Sequence, residues 1–396
     1  MIISEIEKSG PGNELQSVVG LHYSTGKKVI ISFSQGAISG ITEFPDDKND
    51  TDLPYIALGL IDNQVNGYCG VDFSGEDLTT DGVKKAARAM FADGVTTFIP
   101  VVVTGSHDSM IRSFRVLSEA LEDDHLRNSI PGFHLEGPWL SPEPGFYGCH
   151  PVRYLRKPSV AEFADYQEAA GGKIIELTLA PELDGAMEVI RYCTENGVKV
   201  ALGHTNAPAA IINDAVRNVA SISTHLGNGC ANTIDRHRNP LWPQLANDKL
   251  TPSLIADGHH LLPEELIVFC KAKGFENIII TSDVNFLIGM QPGVYNYMGS
   301  KIEMSPDGLV RVPELNCLAG ASMPLKKGIE IMLRDTGCTM GQAVDLATRN
   351  VARVMGLHDR GSLENEKKAD MVLFYIADGK LKISQTIENG ELAFKL

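Results

Sequence analysis

The chain has 396 residues, more than one small domain needs and enough for a barrel of about 250 residues with an accessory unit. Apolar residues make up 43% and charged residues 21%, an ordinary balance for a globular protein with a large core. A formal net charge of −15 argues against nucleic acid or an anionic membrane as the main partner. It leaves room for a small anionic substrate, because one pocket can oppose the global sign.

From the amino terminus, residues 1–8 carry no basic stretch followed by an apolar one, so no secretory signal is expected. No apolar run anywhere approaches the ~20 residues of a membrane span. Residues 1–53 hold short alternating runs such as 28–33, with turn signals at Gly36 and Gly40, and end in a polar stretch at 45–50. They predict a small antiparallel β-unit. From Leu53 the pattern becomes strand, loop, helix. Strands are expected at 55–62, 96–103, 130–136, 174–180, 198–204, 220–225, 253–257 and 277–283, with helices at 80–93, 107–121, 184–196 and 207–217 among them. Eight short apolar runs separated by helix-length segments suggest parallel strands buried on both faces, closed as a (β/α)8 TIM-like barrel over 54–358. An insertion at 285–317, partly β, and two helices at 324–336 and 340–355 follow. The final stretch returns to strands at 369–375 and 381–387, so both ends, 1–53 and 359–396, are expected to pair into one small β-sandwich.

Five polar residues sit at or near the ends of expected barrel strands: Asp62, Glu136, His204, His225 and Asp283. A barrel gathers the carboxyl ends of its strands at one face, where catalytic residues collect. Two histidines and a carboxylate, His204, His225 and Glu136, are a familiar ligand set for one divalent metal, with zinc the first choice and iron the second. Asp283 then suits a general base, since proton transfer needs a carboxylate within reach of the activated water. No Gly-x-Gly-x-x-Gly or Walker-type loop follows a strand, so a nucleotide cofactor is not expected. The seven cysteines form no Cys-x-x-Cys pair and read as reduced thiols of a cytoplasmic protein.

Several pieces, taken in order, resemble the amidohydrolase superfamily and, within it, the N-acetylglucosamine-6-phosphate deacetylase family. They are Gly59-Leu60-Ile61-Asp62-x-Gln64-x-Asn66-Gly67, His134-Leu135-Glu136-Gly137-Pro138, Gly203-His204-Thr205 and Thr224-His225-Leu226-x-Asn228. Asp257-Gly258-His259-His260, Thr281-Ser282-Asp283 and Leu318-Ala319-Gly320 continue the series. Many barrel metallohydrolases carry His-x-His on the first strand to hold a second metal. Here Gln64 and Asn66 stand in those positions, and amides are poor ligands beside imidazole, so one metal ion per chain is expected.

The resemblance implies metal ligation by Glu136, His204 and His225, acid/base work by Asp283, and a contact from His150 to the acetyl carbonyl. It places Gln64, Asn66, Asn228, Gly229, Arg238 and His260 on the substrate, with Arg238 taking the phosphate in preference to Arg236. It also implies an N-acetyl amino sugar phosphate as substrate and a homodimer whose partner subunit helps close the phosphate pocket. Two departures stand out. Asn228-Gly229-Cys230 replaces the family's Asn-Ala, and the arginine segment is rearranged as Arg236-His237-Arg238-Asn239-Pro240. The rival expectations are an amidohydrolase acting on another amide (an unphosphorylated N-acetyl sugar, an N-acyl amino acid or a cyclic imide) and a non-catalytic scaffold.

Overall fold

A computed structural model describes residues 15–45 and 52–396. Residues 1–8 and most of the polar stretch at 45–50 lie outside the described residues. Eight strands form one parallel sheet in sequence order. They are Leu60–Val65, Val95–Val103, Phe133–Glu136, Ile174–Leu179, Lys199–Leu202, Ile222–Ser223, Thr251–Ile255 and Ile279–Thr281. Every residue of Val95–Val103 is buried, as a barrel strand covered on both faces must be. Closure between the last strand and the first is made partly by a side chain. Asp62 Oδ1 accepts from Thr281 Oγ1 at 3.0 Å and from the Ser282 amide at 3.1 Å. The Asn66 amide then donates to the Val284 carbonyl at 2.8 Å.

The expected strand at 55–62 divides in two. Tyr55–Leu58 belongs to the sheet made from the two termini, and Leu60–Val65 opens the barrel. Gly59 is the crossing point. A Cβ there would lie 2.1 Å from Thr96 Oγ1, so only glycine lets the chain pass this close to the second barrel strand. The barrel strand also runs past Asp62, which sets Gln64 and Asn66 nearer the rim.

The terminal sheet has seven strands, ordered Glu391–Lys395, Lys380–Glu388, Met371–Ala377, Tyr55–Leu58, Gln16–His22, Lys28–Ser34, Ala37–Glu43. Val18, Val29, Ile31, Phe33, Met371 and Leu373 form its own apolar core. The sheet curls over that core, because Ile38 donates to the Lys367 carbonyl and Ala369 to the Gly36 carbonyl, each at 2.8 Å.

Helices cover the barrel. Thr80–Ala92 is representative. The Thr79 hydroxyl accepts from the Gly82 amide at its start, and Val83, Ala86, Ala87 and Met90 make the buried face. The helix expected at 340–355 is two helices, Met340–Asp345 and Arg349–Met355. The carbonyls of Leu346 and Ala347 leave the helix to accept from Ile280 and Ile61, joining the last and first barrel strands. The second helix then seals the barrel floor. Its Val351, Ala352 and Met355 pack on Ile61, Ile99 and Ile279. The insertion forms a four-stranded antiparallel unit, Gly293–Tyr297, Ser300–Met304, Val310–Val312 and Cys317–Leu318. Among the described residues no helix is long and apolar enough to cross a membrane.

Candidate active site

The carboxyl ends of the barrel strands open into a cavity of about 400 Å3. Glu136 ends the third strand, while His204 and His225 follow the fifth and sixth. Each of these three offers an atom that lies within 4.8 Å of those of the other two, and no other group of three such side chains comes together among the described residues. Glu136 Oε1 is 3.1 Å from His225 Nε2 and 3.5 Å from His204 Nε2. Burial alone would raise the Glu136 carboxyl, but the two imidazoles hold it well below the ordinary carboxylate range. For His225, burial lowers the imidazole and Glu136 outweighs it, so its pKa is raised.

The tautomer of His204 follows from its surroundings. Nδ1 lies 2.9 Å from the Phe146 carbonyl, which can only accept, so Nδ1 carries the proton and Nε2 keeps its lone pair for the cluster. Three buried ligand atoms of this chemistry, with one imidazole already oriented from behind, fit a divalent cation. Glycines make room for the rings. A Cβ on Gly148 would meet His204 Cε1 at 2.9 Å. One on Gly229 would meet His204 Nδ1 at 2.9 Å and His225 Cε1 at 3.1 Å. Gly229 also has φ +61°, so glycine at this position answers both to space and to backbone.

Asp283 faces the same cavity from the end of the eighth strand. Its Oδ1 accepts from Asn66 Nδ2 at 2.7 Å and from Gln64 Nε2 at 3.0 Å, and Gln64 Nε2 also lies 3.3 Å from Glu136 Oε2. The two amides that stand where paired histidines were sought thus hold the carboxylates in place. Burial, helped by the charge of Glu136, pushes Asp283 up to about 6. His204, His225 and Asp283 all have positive φ, 49°, 31° and 50°, a conformation uncommon outside glycine. Such strain collects at functional sites and persists where surrounding structure over-determines it.

His150 reaches the cavity from the loop after the third strand. Its Nδ1 is 2.9 Å from Thr104 Oγ1, and its ring lies edge-on to His204 with centroids 4.5 Å apart. Burial, with His204 nearby, pushes His150 down to about 3, so the ring is neutral. The Thr104 hydroxyl can donate to Nδ1, which leaves the ring proton for Nε2. Asn228, Gly229 and His260 line the same cavity, and His260 Nδ1 is 2.8 Å from Asp257 Oδ2. Its neighbour His259 turns away to the Asp307 carbonyl. Glu182 is occupied by Thr205 and Asn206.

The structure does not bring Arg238 to the cavity. Arg236 and Arg238 are both exposed on the loop after His225, and neither lines the cavity of its own chain. Asp235 is the reason. Its Oδ1 accepts from the His237 and Arg238 amides, which folds the segment into a tight turn at the surface. Sequence reasoning missed Thr104, Tyr297 and Met298. Thr104 had a signal, being the polar residue just past the apolar run at 98–103. Tyr297 and Met298 had none, since the insertion's path over the rim is a tertiary fact.

A parallel eight-stranded barrel with a Glu-His-His cluster at its carboxyl rim, and a carboxylate facing it, defines a metal-site hydrolase barrel. The chain belongs to the amidohydrolase family, which it matches over residues 55–393. It is 32% identical over 363 residues to the N-acetylglucosamine-6-phosphate deacetylase of Rattus norvegicus, covering 88% of this chain and 86% of that one. It is 29% identical over 378 residues to the N-acetylglucosamine-6-phosphate deacetylase of Bacillus subtilis, covering 93% of each. A solved structure of a mutant N-acetyl-D-glucosamine-6-phosphate deacetylase from Mycobacterium smegmatis, in complex with N-acetyl-D-glucosamine-6-phosphate, superposes with a TM-score of 0.85. That match has 25% identity over 95% of this chain and 98% of that chain.

Proposed function

We propose that this protein hydrolyses the N-acetyl group of N-acetylglucosamine 6-phosphate, giving glucosamine 6-phosphate and acetate. The observation that carries this reading is Asp283, fixed by Gln64 and Asn66 through one oxygen and facing the Glu136, His204 and His225 cluster across one cavity. Relatives over most of the chain length bear the deacetylase name. One divalent cation on Glu136, His204 and His225, zinc before iron, would supply Lewis acidity to the amide carbonyl and acidify a water.

The chain's own residues do the rest. Asp283 Oδ1 is anchored, while Oδ2 makes no hydrogen bond among the described residues, so Oδ2 takes the water proton as the C–O bond forms. His150 Nε2 donates to the carbonyl oxygen as negative charge develops there. Asp283 returns the proton to the nitrogen as the C–N bond breaks, since an amide nitrogen leaves as an amine. Asn228, Gly229 and His260 hold the sugar.

We infer a cytoplasmic homodimer, the arrangement that best accounts for the exposed Arg236 and Arg238 by letting them serve a partner's cavity. Those same exposed arginines favour a second reading, an unphosphorylated N-acetyl sugar as substrate. The experiment is acetate release from N-acetylglucosamine with and without the 6-phosphate by metal-loaded protein. A kcat/KM preference for the phosphorylated sugar is expected. Equal rates would favour the second reading, and no release from either would reject both.

A further inference from the structure

A second cavity of about 390 Å3 lies beside the first. Val103, Tyr297 and Met298 line both, so these three side chains are the partition between them. Thr104, which holds His150, lines the second cavity, so that space begins directly behind the residue assigned to the carbonyl. The partition stands at the end of the second barrel strand. Asn228 stands past the sixth, and strands four apart in an eight-stranded barrel are diametrically opposed. With its carbonyl at the cluster and its sugar toward Asn228 and His260, a substrate would have its acyl end toward the partition.

The turn that carries Met298 is built against local preference. Tyr297 pairs with Ser300, leaving Met298 and Gly299 as a two-residue hairpin loop with φ of 51° and 83°. Two positive φ values in such a loop favour Asn-Gly, Asp-Gly or Gly-Gly, not a long apolar side chain. Methionine here gives the turn nothing, but its side chain fills the wall between the cavities. Tyr297 beside it is buried and braced by Phe286, with ring centroids 5.7 Å apart, so the flexible part of the wall is Met298.

We propose that Met298, backed by Tyr297 and Val103, is the plug that limits the acyl group to two carbons, and that the space behind it can take a longer acyl chain once the plug is shortened. The proposal rests on the deacetylase reading. The test compares N-acetyl, N-propanoyl and N-butanoyl glucosamine 6-phosphate with the unaltered protein, Met298→Gly and Met298→Asn. Both substitutions suit the positive φ of the turn. The butanoyl-to-acetyl ratio of kcat/KM should rise at least about tenfold in both, since one methylene against a filled apolar wall is worth roughly 10–200-fold. An unchanged ratio in both folded variants overturns the proposal alone. Loss of folding in both also overturns it, because it holds that the turn does not need methionine. No N-acetyl turnover by the unaltered, metal-loaded protein overturns the deacetylase reading, and the acyl assignment falls with it.

Discussion

Asn66 Nδ2 lies 2.7 Å from Asp283 Oδ1, across 217 positions of sequence and the seam where the barrel closes. The last strand's carboxylate is thus oriented by the first strand, and Gln64 donates to the same oxygen. Two donors on one oxygen leave the other free, the arrangement a proton shuttle needs.

Asp283→Asn should keep the metal and lose turnover by about 10²–10⁴-fold, the usual contribution of a positioned general acid/base. Asn66→Ala should lower kcat by a smaller factor, because it frees the Asp283 carboxylate without removing it. The checks are steady-state kinetics and metal analysis on the same preparations. A near-normal rate in folded, metal-loaded Asp283→Asn would remove Asp283 from the mechanism.

Dialysed protein should hold about one equivalent of divalent metal, as a single three-ligand site implies. Gln64 and Asn66 spend their donors on Asp283 and Glu136, so they hold carboxylates in place of a second ion. Gly229→Ala should weaken metal retention, because its Cβ would press on both His204 and His225. Competition with a chelator measures this without reference to activity. Two tightly held equivalents would contradict the single site.

The rim cluster was legible because it depends on one topological rule. If short apolar runs are parallel barrel strands, Glu136, His204, His225 and Asp283 must converge whatever their separation. Features that depend on particular close approaches were not legible. Gly59 splits a run that reads as one strand, because Thr96 crowds it from 37 positions away. Leu346 and Ala347 look helical, and break the helix only because two barrel strands need their carbonyls. Arg238, two residues before Pro240, has the spacing that the resemblance asks of the phosphate arginine, but Asp235 folds its loop outward.

Beneath the cluster, Glu176 is buried with Asn63 Nδ2 at 3.3–3.4 Å and His134 Nδ1 at 4.0 Å. Burial pushes Glu176 up to about 8, and burial pushes His134 down to about 4, so acid and imidazole are both neutral near pH 6. The folded chain therefore keeps a proton that the unfolded chain, with its carboxyl near 4.5, has released. Stability of the metal-free protein should fall as pH rises from about 4.5 to about 8 through this group. Glu176→Gln should flatten that fall, with Asn63 Oδ1 and His134 Nδ1, both unpartnered, open to the new amide. Urea midpoints at several pH values are the measurement. An unchanged slope would show that Glu176 is ionised in the fold.

Val219 has φ +73° and is 65% exposed, a strained conformation for a β-branched residue with no packing to recover the cost. Val219→Gly should raise stability by about 1 kcal/mol, the relieved strain exceeding the added chain entropy. A lower urea midpoint in the variant would show that the surroundings already accommodate the valine.

Phosphate recognition gives the most searching test of the assembly. Arg238 does not line its own chain's cavity, so in a dimer it is expected to serve the partner's. Arg238→Ala should raise KM for the 6-phosphate sugar about 10–100-fold, the scale of one charged hydrogen bond of ~1.5–3 kcal/mol. Turnover of the unphosphorylated sugar should move far less. Mixing Arg238→Ala with Asp283→Asn, under conditions that exchange subunits, then separates the two geometries at limiting substrate. If the arginine acts across the interface, the mixed dimer has one complete site, with its Asp283 on one chain and its Arg238 on the other, and activity exceeds that of either variant alone. If it acts within its own chain, every site in the mixture lacks one residue and nothing is gained. Restored turnover is the expected result. Its absence in a demonstrated mixed dimer would place phosphate recognition elsewhere, with His260 the first residue to substitute.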